Sequence, residues 1–206
     1  FDIHFGNEMS VVCSSGVGGG SHVYSAMNMR PHDPDYWDDK VQGVSSKAME
    51  THYAWMLECM EAKVPNAEAK IPNWTPEAYE DSKEFVADAD VPQPAMSVRM
   101  DGQQEDYCNN SYFGSANGAK ATLDRVLILP AMKKGLQVEP EQECLSLWAL
   151  PEGGYRLEVM DYRLKRRRYL KAGKVIVAAG TLNTLRLLFH SREIGGLRGM
   201  PALGQG

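Results

Sequence analysis

The chain has 206 residues, 43% hydrophobic and 24% charged, enough for one sizeable core or a core with an appended lobe. A formal net charge of −5 argues against a nucleic-acid partner, and no apolar stretch reaches the length of a membrane span, so a soluble chain is expected. Cys13, Cys59, Cys108 and Cys144 show neither C-x-x-C spacing nor metal-ligand pairing with the five histidines; no metal site is expected, and free thiols favour a reducing, cytoplasmic compartment.

Residues 9–13 are a short apolar run that reads as a strand, and a dense glycine run follows it at Gly16, Gly18, Gly19 and Gly20. Glycine at that density lets backbone N–H groups approach a flat or charged group closely, and permits φ > 0 where needed. Gly16 and Gly18 fit the first half of a G-x-G-x-x-G phosphate loop, but Ser21 stands where the third glycine would be and residues 22–29 open a helix poorly. The alternative is a flexible turn between two strands. Val23, Met27 and Met29, immediately after, suit a buried planar ligand.

Arg30-Pro31 turns the chain into a polar loop, residues 32–39, anchored by Tyr36 and Trp37. Residues 45–63 fit a helix capped by Ser45 or Ser46, with Met49, Tyr53, Met56, Leu57 and Met60 at helical spacing for core packing. A break over residues 65–76 ends at Thr75-Pro76-Glu77, which opens a second helix running to Ala87. Residues 88–117 read as loop with at most one short strand, residues 95–100.

The second half is predicted as a helix over residues 122–134, despite Pro130, then strands at 136–138, 143–150, 155–162 and 174–179. Alternation is clearest from Tyr155 to Tyr162, with Leu157 and Val159 on one face and Arg156, Glu158 and Met160 on the other. Lys165-Arg166-Arg167-Arg168 reads as a solvated hairpin turn between strand-like residues 156–164 and 169–170, not a phosphate patch. Val175 to Ala179 is continuously apolar, the signature of a parallel strand buried on both faces. Gly180 breaks it, Thr181 or Asn183 can cap, and Leu182, Leu185, Leu187, Leu188 and Phe189 supply an apolar helix face. Such a layout aims helix N–H groups at a ligand, although an ordinary strand–helix junction shares it.

Three stretches together carry a family resemblance. They are Gly16-Val-Gly-Gly-Gly-Ser-His-Val-Tyr-Ser-Ala-Met with Arg30-Pro31, then Gly118-Ala-Lys-Ala-Thr-Leu-Asp, then Val175-Ile-Val-Ala-Ala-Gly-Thr-Leu-Asn-Thr-Leu-Arg-Leu-Leu with Gly195-Gly-Leu, Leu203 and Gly204. In order and spacing the chain resembles the glucose–methanol–choline (GMC) flavin-dependent oxidoreductases, and within them the bacterial cholesterol oxidase-like branch. The resemblance implies an α/β fold of the FAD/NAD(P)-binding type: a parallel sheet receiving residues 136–138 and 175–179, a three-stranded antiparallel meander, and a helical excursion on the substrate side. It divides the chain into residues 1–31 (flavin loop), 32–105 (substrate side) and 106–206 (continuation of the FAD-binding domain).

The resemblance also implies site roles. Gly18, Gly19, Gly20, Tyr24, Ser25 and Met27 would line the flavin, the backbone of Cys144 would read the adenine edge, and Gly180 would lie against the ribose and pyrophosphate. The family's first βαβ unit, which holds the FAD pyrophosphate, and its catalytic histidine with a partner asparagine or histidine have no counterpart here, so an internal slice of a longer protein is expected. That slice, alone, is expected to be inactive and to contact the missing N- and C-terminal parts. The implied reaction is transfer of a hydride from an alcohol or sterol carbon to FAD. Other GMC enzymes acting on sugars or aliphatic alcohols, a fumarate reductase-like or ketosteroid dehydrogenase-like flavoprotein, and a truncated binding module remain as alternatives. His22 and His190 are the histidines to test as bases, but neither matches the family's catalytic position, and no catalytic residue is assigned.

Overall fold

The computed structural model describes residues 2–64, 94–99, 110–111, 114–115 and 118–204. The predicted helix at residues 75–87 lies outside them. The chain divides into two compact units, Phe1–Gln137 and Val138–Gly206.

The first unit opens with an antiparallel hairpin, β1 (Asp2–Phe5) and β2 (Ser10–Cys13), in which Ile3 faces Val12 and the Gly6 amide closes the turn on the Met9 carbonyl at 3.1 Å. A 3-10 turn, Gly19–His22, follows, and β3 (Met27–Asn28) pairs antiparallel with β4 (Ala95–Met96). The bridges Lys63↔Met96 and Val98↔Lys120 extend this pairing. Around it sits a small core of Ala26, Met96, Val98 and Ala119, with Tyr24 packed against it. The one strand expected within residues 95–100 is therefore two strand residues and an isolated bridge.

Helix α1 (Ser46–Cys59) begins where the sequence calls for it, with the Ala48 amide donating to Ser45 Oγ at 3.2 Å. No residue within it is fully buried; Met49, Tyr53, Met56 and Leu57 are half-buried, and only Met60, just past its end, is fully so. Trp37 anchors the preceding loop, as expected: its amide donates to Ser46 Oγ at 3.0 Å and its indole Nε1 to the Tyr53 hydroxyl at 2.6 Å. Asn110–Ser111 (β5) and Gly114–Ser115 (β6) form a minimal antiparallel pair. The helix predicted over residues 122–134 is present as an unbroken helical stretch, but a mixed one: a π-helical turn, Asp124–Ile128, runs directly into a short α turn, α2 (Leu129–Met132). Pro130 has no N–H to join an α ladder, and the wider turn before it places the Leu129 amide on the Asp124 carbonyl.

The second unit is the expected meander, β7 (Gln142–Ala149), β8 (Tyr155–Asp161) and β9 (Arg166–Ala172), antiparallel throughout. Gln142 faces Asp161, Ala149 faces Tyr155, and Tyr155 in turn faces Ala172. Gly153 (φ +95°) and Gly154 (φ +78°) make the first hairpin turn. The second turn is residues 162–165, with the Leu164 amide donating to Asp161 Oδ1 at 2.9 Å. The basic run is thus only partly turn: Lys165 closes it at φ +50°, while the three arginines start β9. Their charges find carboxylates, Arg167 on Glu158 at 2.9 Å and Arg168 on Glu139. Helix α3 (Thr181–Glu193) packs on β7 through Ser191, whose Oγ accepts from the Leu147 amide at 2.9 Å and donates to the Leu187 carbonyl at 2.7 Å.

The expected parallel sheet is not formed among the described residues, where every strand pair is antiparallel. Residues 136–138 and 174–179 belong to no strand, and Ile176 is 92% exposed. A strand buried on both faces needs a hydrogen-bonding neighbour, and none of the described strands takes that place. Neither Thr181 nor Asn183 caps α3. Gly180 holds that position at φ +77° without a side-chain cap, and Thr184 Oγ1 accepts from the Ala179 amide at 3.1 Å.

Candidate functional site

The glycine run forms a tight, nearly bare turn. The Gly19 amide donates to the Gly16 carbonyl at 2.9 Å, and Gly18 (φ +102°) and Gly19 (φ +56°) sit in the left-handed region that side chains disfavour. Gly18 serves the fold: a Cβ there would lie 2.7 Å from His22 Nε2 and 3.1 Å from the Asp124 amide. Gly16, Gly19 and Gly20 differ, because a Cβ on any of them would meet nothing within 4 Å. Gly20 also avoids positive φ, so its missing side chain answers no internal need. It leaves bare backbone where a flat group can rest.

Side chains brace this turn from below. Ser21, 8% exposed, donates from Oγ to the Gly18 carbonyl at 2.7 Å and accepts from the Leu123 amide at 2.9 Å. Lys120, 1% exposed, donates from Nζ to the Tyr24 carbonyl at 2.5 Å and the His22 carbonyl at 3.1 Å, and stands 4.9 Å over the Tyr24 ring. Burial lowers the pKa of its amine. The half-buried Tyr24 phenol donates to the Ala121 carbonyl at 3.1 Å; burial raises its pKa, against a smaller pull from Ser97. Ser25 is half-buried, Ala26 is fully buried at φ +63°, and Met27 emerges on β3 at 48% exposure. Met27 borders a recess of about 260 Å³ whose walls include Met29, Tyr53, Met56 and Leu57. Part of the apolar face expected to build the core therefore lines a recess instead.

Gly18, Gly19, Gly20, Tyr24, Ser25 and Met27 lie within ten consecutive residues of the first unit, from the 3-10 turn to β3. Cys144 and Gly180 belong to the second. Cys144 is half-buried on β7 where a bulge separates it from Ser146; its thiol donates to the Ser146 carbonyl at 3.7 Å, and burial raises its pKa. Gly180 opens α3 and has open space at its Cβ position. Sequence marks Ser21 only as the residue in place of a third glycine, and Lys120 and Asp124 only as members of the Gly118-Ala-Lys-Ala-Thr-Leu-Asp stretch; their bracing role comes from the fold. Of the two histidines, His22 Nε2 lies 2.7 Å from the Val17 carbonyl, which can only accept, so the proton on that nitrogen is already engaged. His190 is exposed near the end of α3.

Among the described residues no group of three or more His, Cys, Asp or Glu could hold a metal, and no helix is long and apolar enough to cross a membrane. A bare glycine turn, with a buried amine on the carbonyls just after it and Met27 at the edge of a recess, is compatible with a planar organic cofactor. A family model described as GMC oxidoreductase matches residues 4–197. The chain belongs to the GMC oxidoreductase family. The matched region is the FAD-binding domain of these flavin-dependent oxidoreductases, and FAD is its cofactor. No curated protein matches the chain.

Proposed function

We propose that this domain serves an FAD-dependent oxidoreductase acting on CH–OH groups of apolar alcohols, with sterol-like substrates favoured. The observation that carries the reading is the position of Met27, at once the end of the glycine-loop stretch and the edge of a recess lined by Met29, Met56 and Leu57 together with Asn28, Arg30 and Tyr53. Such walls match a hydrocarbon better than a sugar, whose hydroxyls need convergent hydrogen-bond partners. The polar groups in that wall, Asn28, Arg30 and Tyr53, have partners of their own: Asn28 Nδ2 donates to the Ala26 and Ala95 carbonyls and Ser97 Oγ, Arg30 pairs with Glu50, and the Tyr53 hydroxyl accepts from Trp37 Nε1.

In this reading Gly18, Gly19, Gly20, Tyr24, Ser25 and Met27 hold the ring system, while Cys144 and Gly180 hold the adenosine end. Residues 1–31 and 106–206 form the FAD-binding domain, and 32–105 face the substrate. Bound FAD supplies the acceptor for the hydride leaving the carbinol carbon. The bare backbone face of Gly19 and Gly20 would lie against the ring, and the Lys120 amine fixes the carbonyls of His22 and Tyr24 that follow it. The base that takes the hydroxyl proton is not assigned to these residues.

The test is perturbation of the bound flavin's absorption spectrum when the loaded protein is titrated with a sterol, a long-chain primary alcohol and glucose, a readout that needs no turnover. Saturable binding of the sterol or the long-chain alcohol, at lower concentration than glucose, is expected. Saturation by glucose alone would replace the apolar-alcohol reading with the sugar reading, and no perturbation by any of the three would overturn the substrate reading of the recess.

A further inference from the structure

We propose that His22 is a positioning residue, bridging the Val17 carbonyl and the Asp124 carboxylate so that the backbone of residues 18–20 is held toward FAD. Three observations carry this beyond the family assignment. His22 Nε2 lies 2.7 Å from the Val17 carbonyl and 3.5 Å from Asp124 Oδ1, so one N–H reaches across the loop from its far end to its near end. Asp124 Oδ1 is buried and has no hydrogen-bond partner among the described residues, leaving the imidazole as its nearest compensation. The ring also fills the space that a Gly18 side chain would take, because a Cβ there would sit 2.7 Å from Nε2. A run of glycines is free to sample many conformations, and a side chain locked across it removes that freedom before the cofactor arrives. Ser21 ties the next carbonyl, that of Gly18, and joins it to the Leu123 amide, so both struts lead to the start of the π-helical turn.

The inference rests on the reading of Gly20 as cofactor-facing. FAD affinity of the protein, followed by flavin fluorescence on titration, tests both. His22→Leu and His22→Ala remove the bridging N–H and should each weaken FAD binding about fivefold, the typical net worth of one hydrogen bond. His22→Gln keeps an N–H donor at similar reach and should stay within about twofold of the parent. Gly20→Val should weaken binding at least about tenfold, whatever stands at position 22. Unchanged affinity in the Leu and Ala variants, or a Gln variant as weak as they are, overturns the positioning role while a weak Gly20→Val variant leaves the loop reading standing. An unchanged Gly20→Val variant overturns both.

Discussion

Gly18 and Gly20 stand two positions apart and lack side chains for opposite reasons. At Gly18 the chain bends through φ +102° against His22 and Asp124, so Gly18→Ala should lower the stability of the apo protein by about 1–3 kcal/mol, read as a fall in its melting temperature. At Gly20 the backbone is ordinary and the space open, so Gly20→Val should leave apo stability nearly unchanged and show its cost only when FAD binds. Equal melting temperatures for the two variants would refute that division of labour. From sequence, the glycine density announced a bare backbone, but nothing in one dimension distinguishes a glycine needed for its φ from one needed for its emptiness. The same limit hid Lys120 and Asp124, whose importance comes from a return of the chain about a hundred residues after the loop, along a path that spacing does not encode.

The meander was the most legible element, because alternation and paired glycines are local signals that a hairpin obeys directly. Its second turn depends on Asp161, which is 5% exposed and accepts from the Leu164 amide. That bond above all, then Gln142, holds its carboxyl below the usual carboxylate range, while burial opposes the shift. A carboxyl with a lowered folded pKa adds stability above its unfolded pKa and loses it as pH falls through the folded one. The second unit should therefore destabilise on acidification in the carboxylate range, and Asp161→Asn should flatten that slope in melts taken across acidic pH. An identical slope in the variant would show that other groups set it. Ser191 joins the elements: Ser191→Ala strands the Leu147 amide and should cost about 1–3 kcal/mol in chemical denaturation. Residues 122–134 and 174–179 were less legible. Apolar content is shared by helix, π-turn and unpaired chain, and only Pro130 or the presence of a neighbour decides among them.

At the scale of the whole protein, FAD is a ligand of the folded state, so it should raise the melting temperature in a concentration-dependent way. Free FAD at a hundred times its dissociation constant adds about 2.7 kcal/mol. A melting temperature indifferent to added FAD would contradict cofactor binding by the folded chain. The family itself was legible because its three stretches, a glycine run, a short Gly–Ala stretch and an apolar run broken by Gly180, keep a fixed order and spacing that can be read without a structure. The substrate was not: the recess beside Met27 takes its walls from β3 and from α1, segments whose meeting only folding reveals.

The extended run at residues 174–179 has a colloidal consequence. Val175-Ile-Val-Ala-Ala is uncharged, proline-free and rich in β-branched residues, and its backbone has no ladder partner among the described residues. Segments of this kind nucleate intermolecular cross-β association when two copies meet. Lys174 at one end and the Gly180 bend at the other act as gatekeepers against it. Because the Ile176 side chain is almost wholly in water, Ile176→Lys should leave the melting temperature unchanged while delaying the onset of light scattering in concentrated, warmed samples of the apo protein.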